Sequence, residues 1–148
     1  MTPPKTWEIR RDGRRTLMAE ALADTSVFVA AESGRRLLGE RLPDKLRVSV
    51  ITLAELEAGV LAARTVADRA ARLRTLEQVA ALEPLAVDPA AAAVWARLRV
   101  EIHQAGRRVN VNDLWIAAVA IANDLPVVTQ DNNFAVLAEL GLLTVINV

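Results

Sequence analysis

An α/β fold with a mostly parallel central sheet of four to five strands is the fold class that this sequence predicts. Short runs of apolar and β-branched residues alternate with longer segments of helical periodicity along most of the 148 residues. Such alternation is typical of a parallel sheet covered by helices on both faces. The hydrophobic fraction of 53% is ample for the core of one domain. We therefore expect a three-layer α/β/α domain.

The first strand is predicted at residues 20–24, where the run EALAD is short and apolar. The segment TSVFVAAE follows as a helix, whose first turn Thr25 or Ser26 can cap. A second helical segment is expected at residues 34–42, before a proline.

The second strand is predicted at residues 45–51, because KLRVSVI is rich in β-branched residues. The helix after it, residues 52–63, begins with capping-box spacing between Thr52 and Glu55. A long amphipathic helix is then expected over residues 65–82.

The second half continues the alternation. A short strand is predicted at residues 83–87, and a helix then opens with the cap and first-turn pair Asp88 and Pro89 and ends at Gly106. An apolar segment at residues 111–124 predicts a buried helix. The remaining expected elements are the strand LPVVTQD, the short helix NNFAVLAEL and the strand LLTVINV.

Two segments are expected from composition, a basic N-terminal extension at residues 1–19 and a domain at residues 20–148. The extension is interpreted as a loose tail or as an arm that binds RNA or a partner. Its basic stretch is not followed by an apolar core, so a secretory signal is not expected, and no apolar run reaches the length of a membrane span. The absence of cysteine excludes thiolate zinc sites and favours a cytoplasmic location.

Acidic residues stand at the junctions between predicted strands and helices. Asp24 ends the first strand, Asp131 follows the strand VVT, Asp113 lies in the first turn of the buried helix, and Glu55 lies in the helix after the second strand. The carboxyl ends of parallel strands meet at one edge of a sheet, where ligands bind in such folds. We therefore expect these carboxylates to lie close together.

Carboxylates that lie close together repel one another. At a separation of 4 Å and an effective dielectric constant near 20, the repulsion is about 4 kcal/mol per pair. Protons or cations must neutralise part of the charge. Hard oxygen ligands suit Mg²⁺ or Mn²⁺, and one or two such ions can activate water for phosphodiester hydrolysis. The cluster therefore predicts a metal-dependent hydrolase.

Each acid also has a simpler interpretation. Asp24 can cap the helix after it, Glu55 can close a capping box, Asp113 can be an ordinary first-turn acid, and Asp131 can be a turn residue in TQDNN. Other chemistries lack their motifs, because the sequence contains no G-x-G-x-x-G, P-loop or nucleophile elbow. The one histidine, His103, excludes a two-histidine nuclease.

Four segments resemble, in order, the four acidic motifs of the PIN-domain family, and the likeness is greatest to VapC toxins of bacterial VapBC toxin–antitoxin pairs. These segments are LADTSVFVA, SVITLAELEAGV, VNDLWIAAVA and VVTQDNNF. The resemblance covers residues 21–148. It implies a PIN-like fold and a Mg²⁺- or Mn²⁺-dependent endoribonuclease that cleaves structured RNA, often tRNA or rRNA.

The resemblance also implies roles for individual residues. The catalytic acids fall on Asp24, Glu55, Asp113 and Asp131, and the pattern E-L-x-x-G selects Glu55 over Glu57. Of these acids, Asp24, Asp113 and Asp131 would bind the metal. Supporting roles fall on Thr129 and Asn112. Independently of the resemblance, four arginines flank the first and third acids in the sequence and can contact phosphates of RNA, namely Arg35, Arg36, Arg107 and Arg108.

The sequence departs from the family pattern at Asn133, where some relatives carry a further acid. One-metal and two-metal catalysis therefore both remain open.

The resemblance further implies a homodimer and a tight complex with a VapB-type antitoxin, with no membrane association. The stripe formed by Trp95, Leu98 and Ile102 fits either the core or an interface. Two alternatives to a toxin remain at this point. One is a PIN-type RNA-processing nuclease, and the other is a catalytically silent module that binds RNA and an antitoxin.

Overall fold

The structure is a computed structural model, and it describes residues 19–148. Within them a sheet of four strands, all parallel, has the order β2-β1-β3-β4, which confirms the predicted fold class. The strands are β1 (Glu20–Ala23), β2 (Lys45–Arg47), β3 (Val127–Thr129) and β4 (Val145–Asn147). The helices are α1 (Thr25–Glu32), α2 (Val50–Leu61), α3 (Val66–Ala80), α4 (Pro89–Gln104), α5 (Val111–Ala122) and α6 (Ala135–Glu139).

The central strand β1 distributes its side chains to both faces of the sheet. Leu22 joins Val127 in one core cluster, which α4, α5 and α6 cover. Ala21 and Ala23 belong to a second cluster together with residues of α1. Since successive side chains of a strand point to opposite faces, both faces are buried and the strand is apolar throughout. This arrangement is the predicted three-layer α/β/α architecture.

Helices α4 and α5 form a pair that explains the apolar stripe on α4. Leu98 and Ile102 are buried in the same cluster as residues of α5. Trp95 stacks on Trp115 with their ring centroids 4.7 Å apart, and the Arg99 guanidinium lies 5.5 Å from the Trp95 ring. The stripe is therefore part of the core of the chain.

The prediction of a helix at residues 34–42 is wrong. The chain leaves α1 at Gly34, whose φ of +74° belongs to the left-handed region, and only a 3₁₀ turn at Gly39–Arg41 follows. Leu37 and Leu42 are merely half-buried, and the residues between them are exposed. A short segment with so little apolar burial lacks the packing that stabilises a helix.

The second predicted strand is shorter than expected, because α2 begins earlier. Ser49 caps α2, and its Oγ accepts a hydrogen bond from the Thr52 N–H at 3.3 Å. The predicted capping box between Thr52 and Glu55 is therefore wrong. The expected strand at residues 83–87 is reduced to an isolated parallel bridge between Leu85 and Ser49.

Helix α4 begins and ends as predicted. The Asp88 Oδ1 accepts a hydrogen bond from the Ala91 N–H at 2.9 Å, with Pro89 in the first turn. The chain then turns at Gly106, whose φ is +69°.

The predicted extension at residues 1–19 lies outside the described residues except for Ala19, which is buried and accepts a hydrogen bond from the Lys45 N–H at 2.9 Å. No helix of the described chain is both long and apolar enough to cross a membrane.

Phe134 provides a test of the core beneath the edge where Asp131 lies. Its side chain is fully buried in the cluster of α4, α5 and α6. Phe134→Ala should lower the free energy of unfolding by about 3–5 kcal/mol through lost burial and a residual cavity. Leu61→Ala is the control, because Leu61 is 78% exposed and its truncation should change stability by less than about 0.5 kcal/mol. Urea denaturation measures both, and equal effects would contradict this account of the core.

Candidate active site at the carboxyl edge of the sheet

The pairing of β1 with β3 brings Asp24 and Thr129 together. Ala23 and Val128 are partners in this parallel pair, and the Asp24 N–H donates to the Val128 carbonyl at 2.9 Å. Thr129 is the last residue of β3. Because both strands end at the same edge, the two side chains meet there, as the topology predicted.

The buried hydroxyl of Thr129 lies between two carboxylates. Its Oγ1 is 3.0 Å from the Asp24 Oδ2 and 3.3 Å from the Asp131 Oδ1. One hydroxyl has a single hydrogen to donate, so the two acids share it. Ser26 extends this network, because its Oγ lies 3.2 Å from the Thr129 Oγ1 and accepts from the Gln130 N–H at 2.9 Å.

Asp24 is buried, with 3% of its surface exposed. Asp24 occupies the N-cap position of α1 without a well-formed capping hydrogen bond, and its carboxylate accepts instead from Thr129 of the neighbouring strand. Burial raises the pKa of Asp24, and the negative charge of Asp131 adds to the increase, whereas hydrogen bonds from Ser26 and Thr129 oppose it.

Asp113 lies in the first turn of α5 and is the most strongly perturbed acid of the site. Burial raises the pKa of Asp113 to about 7. The charges of Asp24, Asp131 and Glu55 contribute further to this increase. An acid that merely stabilised a helix N-terminus would be favoured in its ionised form, and its pKa would be lowered. Burial is the largest cause of the raised pKa, and the contributions from the charges of Asp24, Asp131 and Glu55 indicate that these carboxylates lie near Asp113.

Glu55 faces the turn that carries Asp24. The hydroxyl of Thr25 donates to the Glu55 Oε1 at 2.8 Å, and the Thr25 Oγ1 lies 2.9 Å from the Thr52 Oγ1. Since the helix cap is Ser49, Glu55 does not close a capping box. Glu57 is exposed, so Glu55 is the acid of this helix that approaches the site.

Asp131 is both a turn residue and a member of the acidic cluster. Its Oδ1 accepts from the Asn133 N–H at 2.9 Å, which is the hydrogen bond of an Asx turn. Its charge also raises the pKa values of Asp24 and Asp113. Asp131 is thus a turn residue, as the simpler interpretation predicted, and it is also part of the acidic cluster.

The remaining predicted residues lie around this cluster. Asn112 is exposed, and its N–H donates to the Asn110 Oδ1 at 2.9 Å. Arg35 and Arg36 are exposed beyond the far end of α1. That helix has 8 residues, so they lie about 12 Å from Asp24 along its axis.

Arg107 and Arg108 precede α5 and line a groove of about 600 Å³. The Arg107 Nη2 pairs with the Glu139 Oε2 at 2.9 Å, and Arg108 is exposed. Arg99 and the exposed His103 lie along the same groove. Its apolar lining consists of Val100, Ile102, Val109 and Leu114.

Sequence reasoning missed the roles of two hydroxyl residues, Thr25 and Ser26. The sequence predicts that one or the other caps α1, but Thr25 bonds to Glu55, and Ser26 bonds to the backbone after β3. The available signal was their position directly after Asp24, where a turn at the sheet edge projects side chains toward the same space as the acid.

The donor set of the site is composed of carboxylate and hydroxyl oxygens, which are the ligands of hard cations. Within residues 19–148, no three acidic, histidine or cysteine side chains stand close enough to chelate one ion together. The site therefore fits an ion such as Mg²⁺, which takes one or two carboxylates and keeps several waters.

Comparisons with known proteins give the same family as the sequence motifs. The PIN-domain family model matches residues 21–140. Ribonuclease VapC5 of Mycobacterium tuberculosis is 53% identical over 133 residues, which cover 90% of this chain and 98% of that protein. Ribonuclease VapC4 of the same organism is 40% identical over 125 residues, which cover 84% of this chain and 96% of that protein.

A solved structure extends the likeness to three dimensions. The crystal structure of VapBC-5, a member of the VapBC family of toxin–antitoxin systems from M. tuberculosis, contains a chain that is 51% identical, with a TM-score of 0.78. The match covers 88% of this chain and 98% of that one. The chain therefore belongs to the PIN-domain family, within its VapC group.

Proposed function

We propose that this protein is a divalent-metal-dependent endoribonuclease, the toxin of a VapBC-type pair, which hydrolyses phosphodiester bonds in structured RNA such as tRNA or rRNA. The observation that carries the proposal is the acidic cluster, in which three other carboxylates oppose the ionisation of Asp113. The names of the VapC ribonucleases support the substrate class.

Asp24, Asp113 and Asp131 are the residues that would hold Mg²⁺ or Mn²⁺, one or two of them by direct contact and the rest through waters of the ion. When bound, such an ion supplies Lewis-acid activation of water and stabilises negative charge on the phosphodiester. Thr129 keeps the Asp24 and Asp131 carboxylates in place through its hydroxyl. Asp113, with a pKa of about 7, carries a proton about half of the time at neutral pH and must release it when a cation binds.

Glu55 and Asn112 complete the proposed site. Glu55 places a further carboxylate beside the acids, held by the hydroxyl of Thr25. Asn112 precedes Asp113 at the start of α5 and supports it from the exposed side. Hydrolysis would leave a 5′-phosphate and a 3′-hydroxyl.

The arginines would contact phosphates of the RNA. Arg108 is exposed in the groove at the start of α5, next to the turn that carries Asp113. The guanidinium of Arg107 is paired with Glu139, so Arg107 would have to contact the carboxylate and an RNA phosphate at the same time. Arg35 and Arg36, beyond α1, would contact RNA at a distance from the scissile bond.

The partners proposed are a VapB-type antitoxin and a second copy of this chain. The antitoxin is supported by the VapBC assembly of the structural relative. The domain would comprise residues 20–148, preceded by the basic extension at residues 1–19, and the protein would act in the cytoplasm, where its RNA substrates are.

Induced expression in a bacterial host tests the function directly. The wild type should arrest growth and produce discrete new 5′ ends in total RNA, and co-expression of the cognate antitoxin should restore growth. Asp24→Asn and Asp113→Asn should reduce cleavage by about 10³-fold or more, because each removes a charged ligand at nearly unchanged volume.

The outcomes separate the alternatives. Cleavage retained by both variants would contradict the site assignment. RNA cleavage without growth arrest would favour an RNA-processing nuclease. A folded, antitoxin-free wild type that binds RNA without cutting it would favour a silent binding module.

The raised pKa of Asp113 predicts that the stabilities of the wild type and Asp113→Asn differ by an amount that depends on pH, when a metal chelator is present. Below its usual pKa of 3.8 the acid is protonated in both folded and unfolded chains. As the pH rises from about 4 to about 7, the folded state retains a proton that the unfolded state has lost, so this acid lowers stability by up to about 1.4 kcal/mol per pH unit.

Asp113→Asn should therefore be more stable than the wild type by an amount that grows from about pH 4 to about pH 7 and is constant above it. Urea denaturation of both proteins across this range measures the difference. A difference that does not vary with pH would contradict the raised pKa.

Arg108 provides a test of the proposed RNA contact. Arg108→Ala should raise the KM for RNA about tenfold with little change in kcat, since a phosphate contact contributes to binding of both ground and transition states. The salt dependence of KM should become shallower. Arg74→Ala is the control, because Arg74 is an exposed residue of α3 that does not line this groove. Equal KM values for the two variants would exclude Arg108 as a contact.

A further inference from the structure

A chain of hydroxyl groups connects the turn after β1 with the acid on α2. The Thr25 Oγ1 is 2.8 Å from the Glu55 Oε1 and 2.9 Å from the Thr52 Oγ1. Thr25 belongs to α1 and lies 27 positions before Thr52 and 30 positions before Glu55, which both belong to α2. The contact therefore depends on the packing of two helices and is not local.

The direction of the hydrogen bonds follows from the number of hydrogens. Glu55 as a carboxylate can only accept, so the single hydrogen of Thr25 is donated to Glu55. The Thr25 Oγ1 is also oriented as a donor toward the Oγ1 of Thr52, which is fully buried, so the carboxylate and this hydroxyl compete for one hydrogen. The bond to the charged carboxylate is the stronger one.

Glu55 requires such a restraint more than the three aspartates do. A glutamate side chain has more rotatable bonds than an aspartate, and Glu55 is half-buried beside a small pocket that is open to solvent. Its charge and that of Asp113 oppose each other, which favours rotation of Glu55 away from the cluster. A hydrogen bond from Thr25 opposes that rotation.

We infer that Thr25 is a positioning residue that holds the Glu55 carboxylate beside the acidic cluster. The inference rests on the proposed function, because it concerns how Glu55 is presented to the RNA. Thr25 directly follows Asp24, so one turn supplies the first acid and fixes the orientation of another. Thr129 plays the corresponding part for Asp24 and Asp131.

The test compares Thr25→Val, which removes the hydroxyl at nearly constant volume, with Thr25→Ser, which keeps it. Thr25→Val should lower kcat about tenfold or more with little change in KM, since a misplaced catalytic group costs rate. Thr25→Ser should retain most of the wild-type rate. Loss of activity in both variants would overturn the inference, because a hydroxyl would then not be the feature that matters.

A double-mutant cycle with Glu55→Ala separates positioning from a merely structural role. If Thr25 acts through Glu55, Thr25→Val should cost no further activity in the Glu55→Ala background. An equal loss in both backgrounds would overturn the inference. Thr52→Val should produce a smaller loss than Thr25→Val, because it removes a competing acceptor and leaves the bond from Thr25 to Glu55.

Crystal structures of the Thr25 variants provide a readout that does not depend on activity. In Thr25→Val the Glu55 carboxylate should leave its position or occupy several conformers, and in Thr25→Ser it should stay. An unmoved Glu55 in Thr25→Val would overturn the inference. A wild type that does not cleave RNA would instead contradict the proposed function, and the crystallographic result would still decide the role of Thr25.

Discussion

Repulsion between carboxylates at one edge of the sheet is the constraint on which the rest of the structure depends. Asp24 follows the central strand, and Asp113 begins the buried helix α5. Both are more than nine-tenths buried, where their charges are less screened than at the surface. The scaffold that holds them is deeply buried, because residues Ile116–Ala120 of α5 are all fully buried. The acids are thus attached to closely packed elements of the fold.

Hydrogen-bond donors distinguish the two buried aspartates. Hydroxyl groups of Ser26 and Thr129 lower the pKa of Asp24 and partly offset its burial. For Asp113 every cause of the shift raises the pKa, and the value reaches about 7. The site therefore contains two acids whose pKa values are raised, Asp24 with partial compensation from hydroxyl donors and Asp113 with none. A cation that binds among these groups would replace the proton of Asp113, which couples metal binding to pH.

The sequence predicted the fold class and the meeting of the acids, because both depend on the alternation of strands and helices. It failed between residues 34 and 51, where the left-handed turn at Gly34 and the cap at Ser49 redirect the chain. It also failed to assign Thr25 and Ser26 their partners. Ser26 contacts the backbone of Gln130, 104 positions away. No local pattern encodes a hydrogen bond at that separation, since it depends on the packing of distant elements.

The loop that carries Asp131 shows how the fold withstands the repulsion. Asp131 is only half-buried and lies outside the strands, so it is the aspartate that could most easily swing into solvent. Its segment is fastened on three sides. Thr129 accepts a backbone hydrogen bond from Val148 at 3.0 Å, Gln130 bonds to Ser26, and Phe134 is buried in the core.

The Asx turn completes this attachment, because the Asp131 Oδ1 that accepts from the Asn133 N–H is the same atom that lies nearest the Thr129 hydroxyl. Outward movement of the carboxylate would break both bonds at once. The same hydrogen bonds therefore form the turn at Asp131 and hold Asp131 in the acidic cluster. The hydrogen bonds that shape the loop are also what keeps the charge of Asp131 close to those of Asp24 and Asp113.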